Sequence, residues 1–227
     1  YLDYLCTIDT NYKPKLKFPL MQLSNFLSNK SAIEKYKNYT IKGLYFPPET
    51  FTELPNNWMT DYSINVINKI ERETFSNDIF KIYLDIFQEQ TLYQQLSYKI
   101  YRFTYLRTFD NPILIGLVNN NDSITIYWKV TDGQGGYDFG QLVINENKQL
   151  SLIQWNDFEK IISENNFWNL SSENNEIMGF DGSEWIIEGN DMKRYHIVKR
   201  WCGYGIKKIG MYLINLTDLE IDPKDIY

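Results

Sequence analysis

Histidine occurs once in this chain, at position 196, and cysteine twice, at 6 and 202. That scarcity removes much chemistry. A histidine-built metal centre is out of reach, and no C-x-x-C pair supplies a zinc ribbon or a thioredoxin-like exchange site. The nucleophile turn G-x-S-x-G is missing, and no cysteine–histidine arrangement suggests a thiol nucleophile. The carboxylates form no convincing metal cluster, so the expected cofactors and metals are none. Positive charge is also in deficit. The chain has 23 Lys+Arg against 29 Asp+Glu, a net charge of -6, which argues against the basic footprint of a nucleic-acid binder. No apolar run approaches the length of a transmembrane helix. Repeats, low-complexity blocks and Gly/Ser linkers are lacking as well, so nothing divides the chain into two halves.

The cysteines lie at opposite ends. A bond between them would tie the ends together in an oxidising compartment; the reading adopted is two unpaired, buried thiols. The composition fits a bacterial, cytoplasmic protein. Export stays open because the chain begins at Tyr1 without a methionine.

What is present is apolar and aromatic. Hydrophobic residues make up 43% and aromatics 16%, with 18 tyrosines. This is enough for one real core, and tyrosine serves both cores and binding surfaces. The expected fold is a single α+β domain over 1–227, an antiparallel β-meander packed by helices, with a C-terminal β-hairpin and a final helix. Residues 1–57 hold five of the seven prolines and should be irregular apart from one short helix near 31–38. Residues 58–96 should be helical, with apolar stripes from Met59 to Ile70 and from Ile79 to Phe87.

The period changes to two from Tyr98, placing Tyr101, Phe103 and Tyr105 on one face of a strand. The meander of 97–153 continues through 113–118 and a strand in which Ile124, Ile126, Trp128 and Val130 alternate with Thr125, Tyr127 and Lys129. Ile126 and Trp128 should be buried and Lys129 exposed. The glycine-rich turn Asp132 to Gly136 lacks the lysine and following helix of a phosphate loop, so it reads as a hairpin or bulge. In 154–227, Asn156 and Glu159 should open a helix with Phe158, Ile161 and Ile162 on one side. A hairpin follows, then a helix carrying Ile206, Ile209, Leu213 and Leu216.

The candidate functional residues lie in that hairpin. With 189–193 as its loop, Glu188 faces Arg194 and Ile186 faces His196. One charged face then gathers Glu184, Glu188, Arg194, His196 and Arg200. It reads either as an anion or acid–base site tuned through His196, or as solvated cross-strand ion pairs worth under about 1 kcal/mol each. The structural reading is adopted.

The segment GFDGSEWIIEG (179–189), followed by YHIVKRW (195–201) and the helix around IGMYL (209–213), resembles the C-terminal signature of a loosely defined group of uncharacterised bacterial proteins. Its pattern is D-G-x-x-W-x-x-E-G, then Y-H-x-x-x-R-W, then a helix. The resemblance covers roughly the C-terminal half and implies no particular activity. Where the pattern has a proline soon after its last tryptophan, this chain has Cys202 and Gly203.

The function expected from all this is non-catalytic: a bacterial protein-binding domain of the immunity type that neutralises a basic toxin or effector, with no nucleic acid as partner. The alternative is a small-ligand-binding protein or enzyme using the charged face of the 184–201 hairpin.

Overall fold

The computed structural model describes residues 46, 83–94, 96–135, 138–174 and 181–227. The helix expected over 59–73 and all of 1–57 except Phe46 lie outside the described residues. Of the stretch 58–96 expected to be helical, residues 83–94 and 96 are described: 83–86 are helical, and the rest are turn or irregular, so the helical expectation fails there.

Six strands form one antiparallel sheet: β1 (Lys99–Arg107), β2 (Ile113–Asn119), β3 (Ile124–Thr131), β4 (Leu142–Gln149), β5 (Ser183–Asn190) and β6 (Tyr195–Trp201), in the order β4-β3-β2-β1-β5-β6. The α+β expectation holds, with the hairpin completing the meander's sheet. The reason lies in β1, which is buried along nearly its whole length on both sides. A strand of that kind belongs in the interior of a sheet and needs a neighbour along each edge. β2 takes one edge and β5 the other, pairing Phe103 with Ile115 and with Ile187.

One face of the sheet is aromatic. Tyr101, Phe103 and Tyr105 of β1 sit among Ile115, Ile126, Trp128, Trp185 and Val198. Two helices complete this core, α1 (Leu152–Glu164) through Trp155, Phe158 and Ile162, and α2 (Lys207–Leu216) through Ile209 and Leu213. Trp185 is fully buried, with ring centroids 5.0 Å from Phe103 and 4.7 Å from Tyr105. Its indole N–H donates to Ser183 Oγ at 2.8 Å, so the burial leaves no orphan donor. Gly210 lets α2 approach, since a Cβ there would come within 2.4 Å of the indole ring.

α1 starts earlier than the Asn156–Glu159 pair suggests. Ser151 is the N-cap, accepting from Gln154 N–H while the Gln154 side chain accepts from Ser151 N–H. Beginning at 152 brings Trp155 onto the stripe of Phe158 and Ile162, which buries one more large ring. α2 is as expected.

The second face is covered by Phe46, Tyr83, Leu84, Ile86, Phe87 and Phe139, packed on Leu106, Leu114, Ile186 and Ile197. Ile126 and Trp128 are buried as expected, but Lys129 is not exposed: it is 8% accessible. Period-two alternation marks a solvated face only if nothing lies over it, and here residues 83–90 do. Cys202 is disulfide-bonded, against the expectation of a free thiol there; Cys6 lies outside the described residues. Cys202 (φ 47°) and Gly203 (φ 69°) are both left-handed. Proline is fixed near -65° and could occupy neither position. Among the described residues, no helix is long and apolar enough to cross a membrane.

Candidate functional site

The hairpin register decides where its charges go. β5 and β6 pair with Glu188 opposite Ile197, Gly189 opposite His196 and Glu184 opposite Trp201, leaving 191–194 as the turn. This differs from the expected register by three positions. An odd offset sends one strand's side chains to the other face relative to its partner. The five hairpin candidates therefore do not form one charged face. Glu184 and Glu188 point to the face beneath residues 83–90, and His196 and Arg200 point to the helix-covered face. Arg194 sits in the turn, where Asp191 Oδ1 accepts from the Lys193 and Arg194 N–H groups and Asp191 Oδ2 accepts from Arg194 Nε at 3.0 Å.

Glu188 enters a buried polar constellation that the sequence reading did not assemble. Tyr127, Gly116, Arg102 and Glu188 lie side by side across β3, β2, β1 and β5. Arg102 is fully buried; its Nε donates to Glu188 Oε2 at 2.7 Å, and Nη2 lies 2.6 Å from the same oxygen. Its Nη1 donates to the Gln90 carbonyl at 2.7 Å and lies 3.4 Å from Glu89 Oε2. Lys129 donates to Glu89 Oε1 and to the Phe87 carbonyl, each at 2.6 Å. Tyr127 donates to Glu89 Oε2 and Tyr195 to Glu188 Oε1, both at 2.9 Å. Gly116 makes the row feasible: a Cβ there would lie 2.0 Å from the Tyr127 ring, which crosses β2 at that point.

The electrostatics are balanced: Arg102 and Lys129 against Glu89 and Glu188. Burial opposes the Arg102 charge, but the Glu188 and then the Glu89 carboxylate outweigh it and hold the guanidinium's pKa above its ordinary value. Burial pushes the Glu188 carboxyl up, and Arg102 offsets part of that rise. Burial also raises the Tyr127 and Tyr195 phenols, so both are neutral donors. A recess of about 410 Å³ opens beside this cluster, lined by Gln88, Glu89, Gln90, Tyr127, Lys129 and Asn145.

Glu184 lies on the same face of β5, and its Oε2 is buried without a hydrogen-bond partner. Burial raises its pKa, Lys199 lowers it and Glu173 raises it again. The Lys199 ammonium is 2.6 Å from Glu173.

On the helix-covered face His196 packs edge-on against Phe167, with ring centroids 5.2 Å apart, and 6.4 Å from Trp168. Its Nε2 is buried without a hydrogen-bond partner. Burial lowers the imidazole pKa, the Leu170 carbonyl raises it, and Arg194 and Arg200 lower it further, for a net downward shift. His196 is thus neutral at neutral pH. Arg194 stacks over the Trp168 ring at 4.1 Å, beside a recess of about 290 Å³ that Glu159 and Asn166 also line. Arg200 is occupied by the Ser171 and Lys199 carbonyls, each at 2.7 Å.

Sequence reasoning missed Arg102, Glu89 and Tyr127 as members of a site and placed Lys129 in water. One signal was available: Arg102 lies in the middle of its strand, between the aromatic residues Tyr101 and Phe103. A charge at such a position must find a partner. No family model, curated protein or solved structure matches this chain, so the functional reading rests on the geometry.

Proposed function

We propose that this chain is a non-catalytic bacterial protein-binding domain of the immunity type, an acidic protein that masks a basic toxin or effector. The observation that carries the reading is how the buried charges are used. Arg102 and Lys129 bind the Phe87 and Gln90 carbonyls as well as Glu89, and Glu188 binds Arg102 and Tyr195. These groups fasten residues 87–90 to the sheet. A proton-transfer site would leave one of them uncommitted, whereas Glu89, Tyr127 and Lys129, which line the recess, bond one another. The neutral, ring-packed His196 fits the same structural role.

Recognition then falls to the surface. The loops after β1 and β6 close the same end of the sheet and expose Phe109 (49%) and Tyr204 (48%). Exposed aromatics are the side chains that anchor protein interfaces, and a net charge of -6 steers association with a basic partner. The test is capture from native lysate, followed by binding kinetics with the identified protein. Association should slow as salt rises, and Phe109→Ala or Tyr204→Ala should speed dissociation at least tenfold. His196→Ala should leave protection against the toxin nearly intact. A salt-independent association rate would remove the steering argument. A hundredfold loss of activity in a folded His196→Ala protein would overturn the non-catalytic reading, since that exceeds what ring packing away from a reacting centre supplies.

A further inference from the structure

The two edges of the sheet are treated differently. At β6, Lys199 N–H donates to the Ser172 carbonyl at 2.7 Å and the Arg200 guanidinium binds the Ser171 carbonyl, so residues 171–172 lie against that edge. At β4, among the described residues no backbone group takes up the outer edge. Leu150 N–H donates to the Ile124 carbonyl at 2.8 Å, which fixes the alternation: even-numbered β4 residues bond to β3, while Asn145, Asn147 and Gln149 direct their N–H and C=O groups outward. Asn145, Glu146, Asn147 and Gln149 are all exposed. An open strand edge is a template for pairing with another chain.

We propose that β4 is the self-association edge of this protein, where two copies pair antiparallel about a two-fold axis at Asn147. This goes beyond the binding reading above and is independent of it. The occupant is argued from the sequence of the edge itself. With Asn147 opposite its own copy, the side chains on the helix-covered face read Ile144-Glu146-Lys148-Leu150 against Leu150-Lys148-Glu146-Ile144. Each Glu146 meets a Lys148, and each Ile144 meets a Leu150, in the non-hydrogen-bonded positions where side chains approach most closely. The other face brings Asn145 to Gln149 and Asn147 to Asn147, all uncharged.

Neighbouring registers lose this match. An axis at Glu146 sets the two Glu146 carboxylates against each other, one at Lys148 sets two ammonium groups together, and one at Asn145 puts Ile144 against Glu146. Lys148 pairs with Asp218 at 2.5 Å and lies 5.7 Å from the Trp128 ring, with 37% of its side chain accessible. A two-fold pairing uses the β4 edge of both copies and so closes as a dimer.

The test is sedimentation equilibrium of the full chain across a range of concentrations, with three variants. Wild type should dimerise. Asn147→Pro removes an outward N–H and no β3–β4 bond, so it should keep the circular dichroism spectrum and unfolding midpoint while weakening the dimer at least tenfold. Glu146→Lys alone and Lys148→Glu alone should each weaken it similarly. Mixing those two single variants should restore dimerisation as a heterodimer, because both cross-strand pairs are then of opposite charge. Several outcomes would overturn the proposal: a wild-type monomer at all concentrations, a dimer indifferent to Asn147→Pro, or folded single variants that fail to pair when mixed. So would a monomer whose outward β4 amides resist exchange, because the same chain would then be covering the edge.

Discussion

The two faces of the sheet bury side chains by different physics. The helix-covered face is held by ring contacts around Trp185, Tyr101 and Phe158. The face beneath residues 83–90 mixes apolar packing with four charges and two phenols that hold one another. Both exclude water, but they fail differently. A truncated ring leaves a cavity, whose cost follows volume and ignores pH. A deleted charge leaves its partner buried and unpaired, and that partner can escape the cost by changing its protonation.

The largest expected effects separate the two. Trp185→Ala and Arg102→Ala should each cost about 3–5 kcal/mol, the first through the cavity and the second through an uncompensated Glu188. Their pH dependence should differ. Without Arg102, the upward push of burial on Glu188 loses its largest counterweight and only the Tyr195 hydrogen bond still opposes it, so the folded state takes up a proton that the unfolded state still lacks. The Arg102→Ala deficit should therefore shrink as pH falls toward the carboxylate range, while the Trp185→Ala deficit stays level. Unfolding midpoints across pH measure both. Parallel curves would show that the polar cluster acts as plain packing.

A smaller contrast lies within β5. Glu188 has a buried cation to neutralise, whereas Glu184 has a buried oxygen with no partner. Glu188→Gln should cost roughly 1.5–3 kcal/mol, the worth of hydrogen bonds to charged groups. Glu184→Gln should leave neutral-pH stability unchanged or slightly raised, because burial disfavours its carboxylate and the nearby Lys199 keeps Glu173 as its partner. Urea unfolding of the two isosteric variants compares them directly. Equal losses would mean that Glu184 contributes a contact not visible in its geometry.

These contrasts follow what was legible in the sequence. The aromatic face could be read because alternation in β1 and β3 names Tyr101, Phe103, Ile126 and Trp128 as inward, and burial of rings needs no partner beyond other rings. The final helix was equally plain from Ile209 and Leu213. The polar face was not legible, because alternation assigns Lys129 and Glu188 to the opposite side without saying whether that side meets water. That depended on residues 83–90, more than 35 positions away from Lys129, and on Gly116 leaving room for Tyr127. The hairpin charges were misplaced for a local reason. Moving the turn to 191–194, where Asp191 accepts backbone N–H groups, changed the register by an odd number and sent His196 away from Glu188.

The smallest expected effect tests that displacement. His196 belongs to the aromatic face, beside Phe167 and Trp168, and burial lowers its pKa below the ordinary imidazole value of about 6.5. In the folded protein it stays neutral where the unfolded chain has begun to take up a proton. The unfolded state then binds more protons, so stability should be full above about pH 6.5 and should fall as pH drops below it. The slope from one group cannot exceed about 1.4 kcal/mol per pH unit. Carboxylates titrate in the same acid range, so the informative quantity is a difference. His196→Phe keeps a ring against Phe167 and removes the titration. Its stability relative to wild type should improve steadily on acidification and be flat above neutrality. A difference that ran the other way, with the wild type gaining on acidification, would mean that the folded state stabilises the imidazolium, as a carboxylate partner such as Glu188 would, and would return His196 to the charged face from which the observed register removes it.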